Sequence, residues 1–117
     1  MLGSRIARLA HEFQQEIAMF IHQELKDPRL GFVTITRVEL SKDLRYAKVF
    51  FSCLGTDEER AHSQRALEHS ARFLHGLLKR RFRLKNIPEL AFKYDASIEE
   101  SIRMSKVLDQ LQEPPSR

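Results

Sequence analysis

The sequence predicts an α+β domain whose helices cover one face of a small three-stranded sheet, in the order α-β-β-α(α)-β-α. Three observations carry this. Long segments repeat apolar residues with helical period, three short segments alternate apolar and polar residues, and turn or capping signals separate them. Three strands cannot stabilise themselves, so the helices must supply the second layer of a common core.

The first helix is expected from Ser4, a capping residue, to about Leu25, with Ile6, Leu9, Phe13, Ile17, Phe20 and Ile21 on one face. DPRLG, residues 27–31, combines Asp-Pro with a glycine and reads as a turn. FVTITRVEL, residues 32–40, is β-branched and alternating. Its apolar positions run Val33, Ile35, then Val38, Leu40, so the phase slips at Thr36–Arg37 and predicts a β-bulge or a change of buried face. The polar SKDL, residues 41–44, leads into YAKVFFSCL, residues 46–54, which places Ala47, Val49, Phe51 and Cys53 on one side. So short a connection predicts an antiparallel hairpin. Thr56 and Glu59 have the spacing of a capping box and open a helix to about Arg83, which Pro88 ends. ELAFKY, residues 89–94, alternates again as a third strand; Ser97 and Glu100 then form a second capping box for a helix to about Leu111. No repeat or linker interrupts the chain. One domain is expected over residues 1–112, followed by a flexible tail at 113–117.

Composition narrows the class of function. A formal charge of +4 makes an anionic partner plausible without proving one, since distribution matters more than the sum. The single cysteine, Cys53, excludes an internal disulfide and suits a reducing cytoplasm. No apolar run approaches the ~18 residues of a membrane span, and the N-terminal MLGSRIARLAHEF lacks the apolar core of a signal peptide.

The helix after Thr56 holds the informative charges. At helical phase, His62, Arg65, His69, Arg72, His75, Lys79 and Arg83 share one stripe, and Leu67, Ala71, Leu74, Leu77, Leu78 and Phe82 share the opposite one. No acidic residue lies between Arg72 and Lys85, so the cations there lack i,i+4 partners. Arg81 points by phase toward the apolar side, which predicts a loosened helix end. Cations near a helix C-terminus also complement the helix dipole by about 0.3–1 kcal/mol, so charge alone does not name a ligand. The candidate phosphate contacts are Arg65, Arg72, Lys79, Arg80, Arg83 and Lys85, with Arg5 and Arg8 on the first helix as secondary positions.

Catalytic and metal signatures are missing. The four glycines are scattered and make no phosphate-cradling loop, and there is neither HExxH nor CxxC. His11 and His22 are about three turns apart, too far to share a metal, and Cys53 takes an inward strand position as an inert thiol. Glu99 and Glu100 occupy the first turn of a capped helix, where negative charge is favourable. No nucleophile is paired with a base, and no cofactor is expected.

LKDPRLGFVTITRVELSKDLRYAKVFFSCLG, residues 25–55, resembles the signature region of the bacterial ribosome-binding factor A family. RIARLAHEFQQEI before it and RRFRLKNIPELAFKYDASIEESIRMSKVL after it extend the resemblance over nearly the whole chain. The resemblance implies a type II KH-like fold, order α-β-β-α-α-β with a C-terminal helix. It also implies a non-catalytic cytoplasmic factor that binds 16S rRNA on the free 30S subunit and assists its late maturation, with a role in the cold. A monomer with no small-molecule substrate and no membrane partner is expected. Ordinary KH domains grip RNA with a GxxG loop; this sequence has none, in keeping with a family that uses an interhelical kink at an Ala-x-Gly step. That step falls at Ser70-Ala71-Arg72, where arginine replaces the glycine and would add charge. The alternatives are a general single-stranded RNA-binding module, for which Phe50 is the main exposed aromatic, or a protein-interaction module using Phe50 and a free strand edge.

Overall fold

The structure, a computed structural model, describes residues 2–25, 27, 30, 33–97, 104, 105, 107 and 108. Helix α1 spans Leu2–Glu24, strands β1 and β2 span Val33–Leu40 and Tyr46–Cys53, helix α2 spans Asp57–Arg81, and β3 spans Glu89–Tyr94. β1 pairs with β2 antiparallel, β2 pairs with β3 parallel, and the sheet order is β1-β2-β3. The parallel pair is possible because α2 is long enough to return the chain to the starting end of the sheet. Both helices lie on one face: α1 packs on β1, α2 packs on β3, and the two helices touch. This α+β arrangement agrees with the expected KH-like fold.

Local chemistry explains the boundaries. Ser4 lies inside α1, not at its cap, because the helix begins at Leu2. α2 opens as expected: the Thr56 hydroxyl accepts from Glu59 N, and the Glu59 carboxylate accepts from Thr56 N. Gly55 precedes the cap at φ +128°, a backbone conformation in which any side chain is strained, so glycine is favoured there. α2 ends at Arg81, where Phe82 turns extended while its N–H still donates to Leu78 O. The C-terminal helix expected from Ser97 is helical at Ser97, Met104, Ser105, Val107 and Leu108; its other positions, with Glu100 and the tail at 113–117, lie outside the described residues.

The core joins Phe13, Ile17 and Ile21 of α1 to Leu67, Leu74 and Leu78 of α2 over Ile35, Val38, Ala47, Val49, Phe51 and Phe92 of the sheet. Burying each large side chain contributes roughly 1.5–3 kcal/mol relative to leaving it exposed. Phe82 anchors the end of α2, its ring 4.7 Å from that of Phe13. Cys53, expected inside, is half-buried at the rim of this core. Arg81 does turn toward α1 and meets Glu16 at 3.0 Å, linking the two helices.

The phase slip in β1 is a bulge. Ile35 pairs with Phe51 and Arg37 with Phe50, leaving Thr36 as the extra residue. Gln14 of α1 donates to the carbonyls of Ile35 and Thr36, at the bulge. The Thr36 hydroxyl donates to the Asp95 carboxylate at 2.6 Å, and Ser97 N donates to the same group at 2.9 Å. Asp95 is buried, and hydrogen bonds from Ser97 and Thr36 hold its pKa down from 3.8 to about 2. Because the folded pKa is depressed, the stabilisation is complete above the unfolded value near 3.8 and is lost as pH falls through about 2. Asp95→Asn is therefore expected to lower stability by about 2 kcal/mol at neutral pH. In urea titrations the gap from the native protein should close between about pH 4 and pH 2; a constant gap would contradict this account.

Candidate nucleic-acid interface

The outward face of α2 is formed because its apolar residues are committed inward. Ser63, Ala66, Leu67, Leu74 and Leu78 are buried, which fixes the rotation of the helix and leaves Arg65, His69, Arg72, Lys79 and Arg80 exposed. Arg65 and Arg80 lie about 22 Å apart along the axis at 1.5 Å per residue. Arg83 follows soon after the helix and is also exposed.

Two parts of the expected stripe change. His75 is half-buried, and its Nε2 lies 2.9 Å from the Ile87 carbonyl; since a carbonyl only accepts, the ring donates. It ties α2 to the loop before β3 and does not belong to the free ladder. Glu68 is exposed at i+3 from Arg65 and i−4 from Arg72, so the N-terminal half of the ladder is partly offset. The net positive charge is concentrated from Arg72 onward.

α2 is one helix of 25 residues, running unbroken through Ser70, Ala71 and Arg72 where two helices were expected. Leu67 and Leu74 are fully buried on either side of this step, and Ala71 packs against the same core, so a single seam holds the helix down. With arginine at 72 there is no glycine or proline at the step to interrupt its hydrogen bonding.

Lys85 lies exposed in the loop between α2 and β3. Arg5 and Arg8, both exposed on α1, do not flank Arg65. They share a groove of about 410 Å³ with Lys42, Leu44 and Leu84, which brings them beside the loop that carries Lys85. The candidates thus form two groups: a ladder along α2, and a cluster at the end of the domain where α1, the β1–β2 turn and the loop before β3 meet. Among the described residues, none of Arg5, Arg8, Arg65, Arg72, Lys79, Arg80, Arg83 and Lys85 is in an ion pair; the paired arginines are Arg37, Arg45, Arg60 and Arg81.

The aromatic side chains also depart from expectation. Phe50 is half-buried beneath the Arg37 guanidinium, 4.1 Å from its ring centre. Among the described residues the exposed aromatics are Tyr46 and Phe73, at 57% and 49%. Phe73 fell outside both stripes of α2 read from the sequence, because the exposed arc of the C-terminal half is wider than the ladder. Lys42 and Arg45 were missed because only the folded turn brings them to the other cations. No group of three or more metal-ligating side chains occurs among the described residues, nor is any described helix long and apolar enough to cross a membrane.

Comparison with known proteins fixes the family. The model of the ribosome-binding factor A family matches residues 5–108. Ribosome-binding factor A from Heliobacterium modesticaldum is 44% identical over 112 residues, covering 96% of this chain and 93% of that protein. The same-named protein of Thermomicrobium roseum is 46% identical over 117 residues, covering 100% of this chain and 91% of that protein. The crystal structure of ribosome-binding factor A from Thermus thermophilus superposes with a TM-score of 0.69 at 34% identity, covering 76% of this chain and 93% of that one. A homology model of the Thermus thermophilus factor, as fitted into the cryo-EM map of a 30S complex with that factor, gives a TM-score of 0.64 at 33% identity, covering 78% of this chain and 96% of that one. With sequence, fold and family pattern in agreement over nearly its full length, the chain belongs to the ribosome-binding factor A family.

Proposed function

We propose that this chain is a non-catalytic ribosome assembly factor of the bacterial cytoplasm. It binds the free 30S subunit through 16S rRNA and assists late maturation and processing of that RNA, with its greatest importance in the cold. The observation that carries this reading is the set of exposed cations Arg72, Lys79, Arg80 and Arg83, none of them in an ion pair among the described residues, in a stretch that contains no acidic residue. Arg65 extends the run along α2; Lys85, Arg5 and Arg8 extend it at the end of the domain. Such a surface engages phosphates through charge-assisted hydrogen bonds and positions the protein on an RNA backbone. Residues 1–112 act as one RNA-binding domain, working as a monomer with neither cofactor nor small-molecule substrate.

The test is sedimentation with separated 30S, 50S and 70S particles. The protein should travel with free 30S subunits and remain at the top of the gradient with the other two. Equal binding to all three, or to any RNA, would favour a general RNA-binding module, and binding to none would end the proposal. Growth of a strain lacking the protein, compared at low and optimal temperature with and without the intact chain, tests the role in the cold.

A further inference from the structure

Beside the groove that holds Arg5 and Arg8 lies a larger cleft of about 710 Å³, between the β1–β2 turn and the loop before β3. The two share Leu44 and Leu84. Tyr46 forms one wall of the cleft, 57% exposed, and Arg45, Lys85 and Asn86 stand around it. The size falls in the range of small-ligand sites, about 300–1,000 Å³.

The wall is held in place before any ligand arrives. Ser41 Oγ accepts from the backbone N–H groups of both Arg45 and Tyr46 and donates to the Asp43 carboxylate at 2.7 Å. Leu44 takes a left-handed conformation at φ 59°, which a leucine adopts only when its surroundings impose it. The Arg45 carbonyl accepts from Glu89 N at 2.9 Å, joining the turn to the first residue of β3. Tyr46 is thus an exposed ring on a rigid support, the arrangement that loses least entropy on stacking.

The charges select the ligand. Arg5, Arg8, Lys42, Arg45 and Lys85 line the joined cleft and groove, against the carboxylates of Glu12, Asp43 and Glu89. Asp43 is already engaged: hydrogen bonds from Ser41 and the Arg45 backbone hold its pKa below the usual range, and the Arg45 guanidinium lies 3.9 Å away. A flat aromatic with an amide and the lysine Lys85 beside it, and further cations along the adjoining groove, matches an unpaired nucleotide. A base inside a duplex has no free face to offer. We infer that this cleft receives one unpaired nucleotide of a single-stranded RNA segment. Its base stacks on Tyr46, Asn86 contacts the base edge, and Lys85 holds a flanking phosphate. The strand continues over Leu44 toward Lys42, Arg5 and Arg8. The inference rests on the RNA-binding function proposed above and adds a second contact surface, distinct from the ladder on α2.

The chain contains no tryptophan, so Tyr46→Trp installs a single reporter. Dodeca-uridylate should quench the indole emission of that variant as it binds. Tyr46→Ala should bind the oligomer about tenfold more weakly than the native protein, with unchanged affinity for a duplex RNA of equal length and an unchanged melting temperature. Tyr46→Phe should bind within about twofold of native. Native-like binding of the oligomer by Tyr46→Ala, or indole emission that stays constant at saturation, would overturn the inference. So would failure of the native protein to bind the oligomer while it travels with 30S subunits. In each of these cases continued 30S binding leaves the assembly-factor reading standing, whereas loss of 30S binding by the native protein itself would remove that reading.

Discussion

The triple variant Arg72→Glu, Lys79→Glu, Arg83→Glu is expected to lose roughly 100-fold or more in affinity for free 30S subunits while remaining folded. Each side chain is exposed and, among the described residues, outside any ion pair, so the substitutions break no packing. The local cost is the helix dipole, about 0.3–1 kcal/mol for each residue near its C-terminus, plus about 0.2–0.5 kcal/mol from the like charge placed four residues after Glu68. The effect on binding is larger because each change both removes a phosphate contact and introduces repulsion of the backbone. If the native surface engages about six phosphates, affinity should fall by roughly three orders of magnitude between 50 and 200 mM salt. The variant should show a slope shallower by about two to three in log–log form. An unchanged salt slope would mean that α2 does not face the RNA. Circular dichroism melting separates this result from unfolding.

Phe51→Ala is expected to have the largest effect on stability, about 3–5 kcal/mol. Phe51 is fully buried in the central strand, paired in register with Ile35 on one side and Tyr94 on the other. Its ring meets that of Tyr94 edge-on, with centres 5.7 Å apart. Truncation would open a cavity among elements that α1 and α2 hold at fixed separation, so little collapse can fill it. For a domain of total stability near 5–15 kcal/mol, the urea midpoint should drop by roughly 2 M. Phe50→Ala, one residue earlier and half-buried on the other face, serves as the comparison and should cost about 1 kcal/mol. Equal costs at the two positions would contradict the assigned faces of β2.

Most of the architecture was legible in the sequence because local rules and tertiary packing agree. The Thr56–Glu59 box, the alternation of β2 and β3 and the slip at Thr36 all survive folding, since each is a short-range signal that the core reinforces. The parallel sense of β3 was not legible: strand period carries no direction, and only the return of the chain along α2 sets it. His75 was misread because its phase is that of the ladder, while its hydrogen bond to Ile87 depends on a loop that phase does not describe. The cluster at the end of the domain shows the same limit. Arg5, Lys42 and Lys85 come from three separate elements, and only the folded chain brings them together. The expected division of α2 at Ser70–Arg72 came from family resemblance, and the arginine that replaces glycine here is where that resemblance departs from this chain.

The hydrogen bond between Thr36 and Asp95 joins residues 59 positions apart, and that separation gives it a place in time as well as in space. The β1–β2 hairpin closes a short loop and can form early, whereas β3 can reach β2 only after the long crossover has compacted. The contact between the bulge and the end of β3 therefore belongs among the last to form. A late clasp governs how long the domain persists, not how quickly it is made. Asp95→Asn should accordingly speed unfolding in stopped-flow experiments and leave the refolding rate nearly untouched.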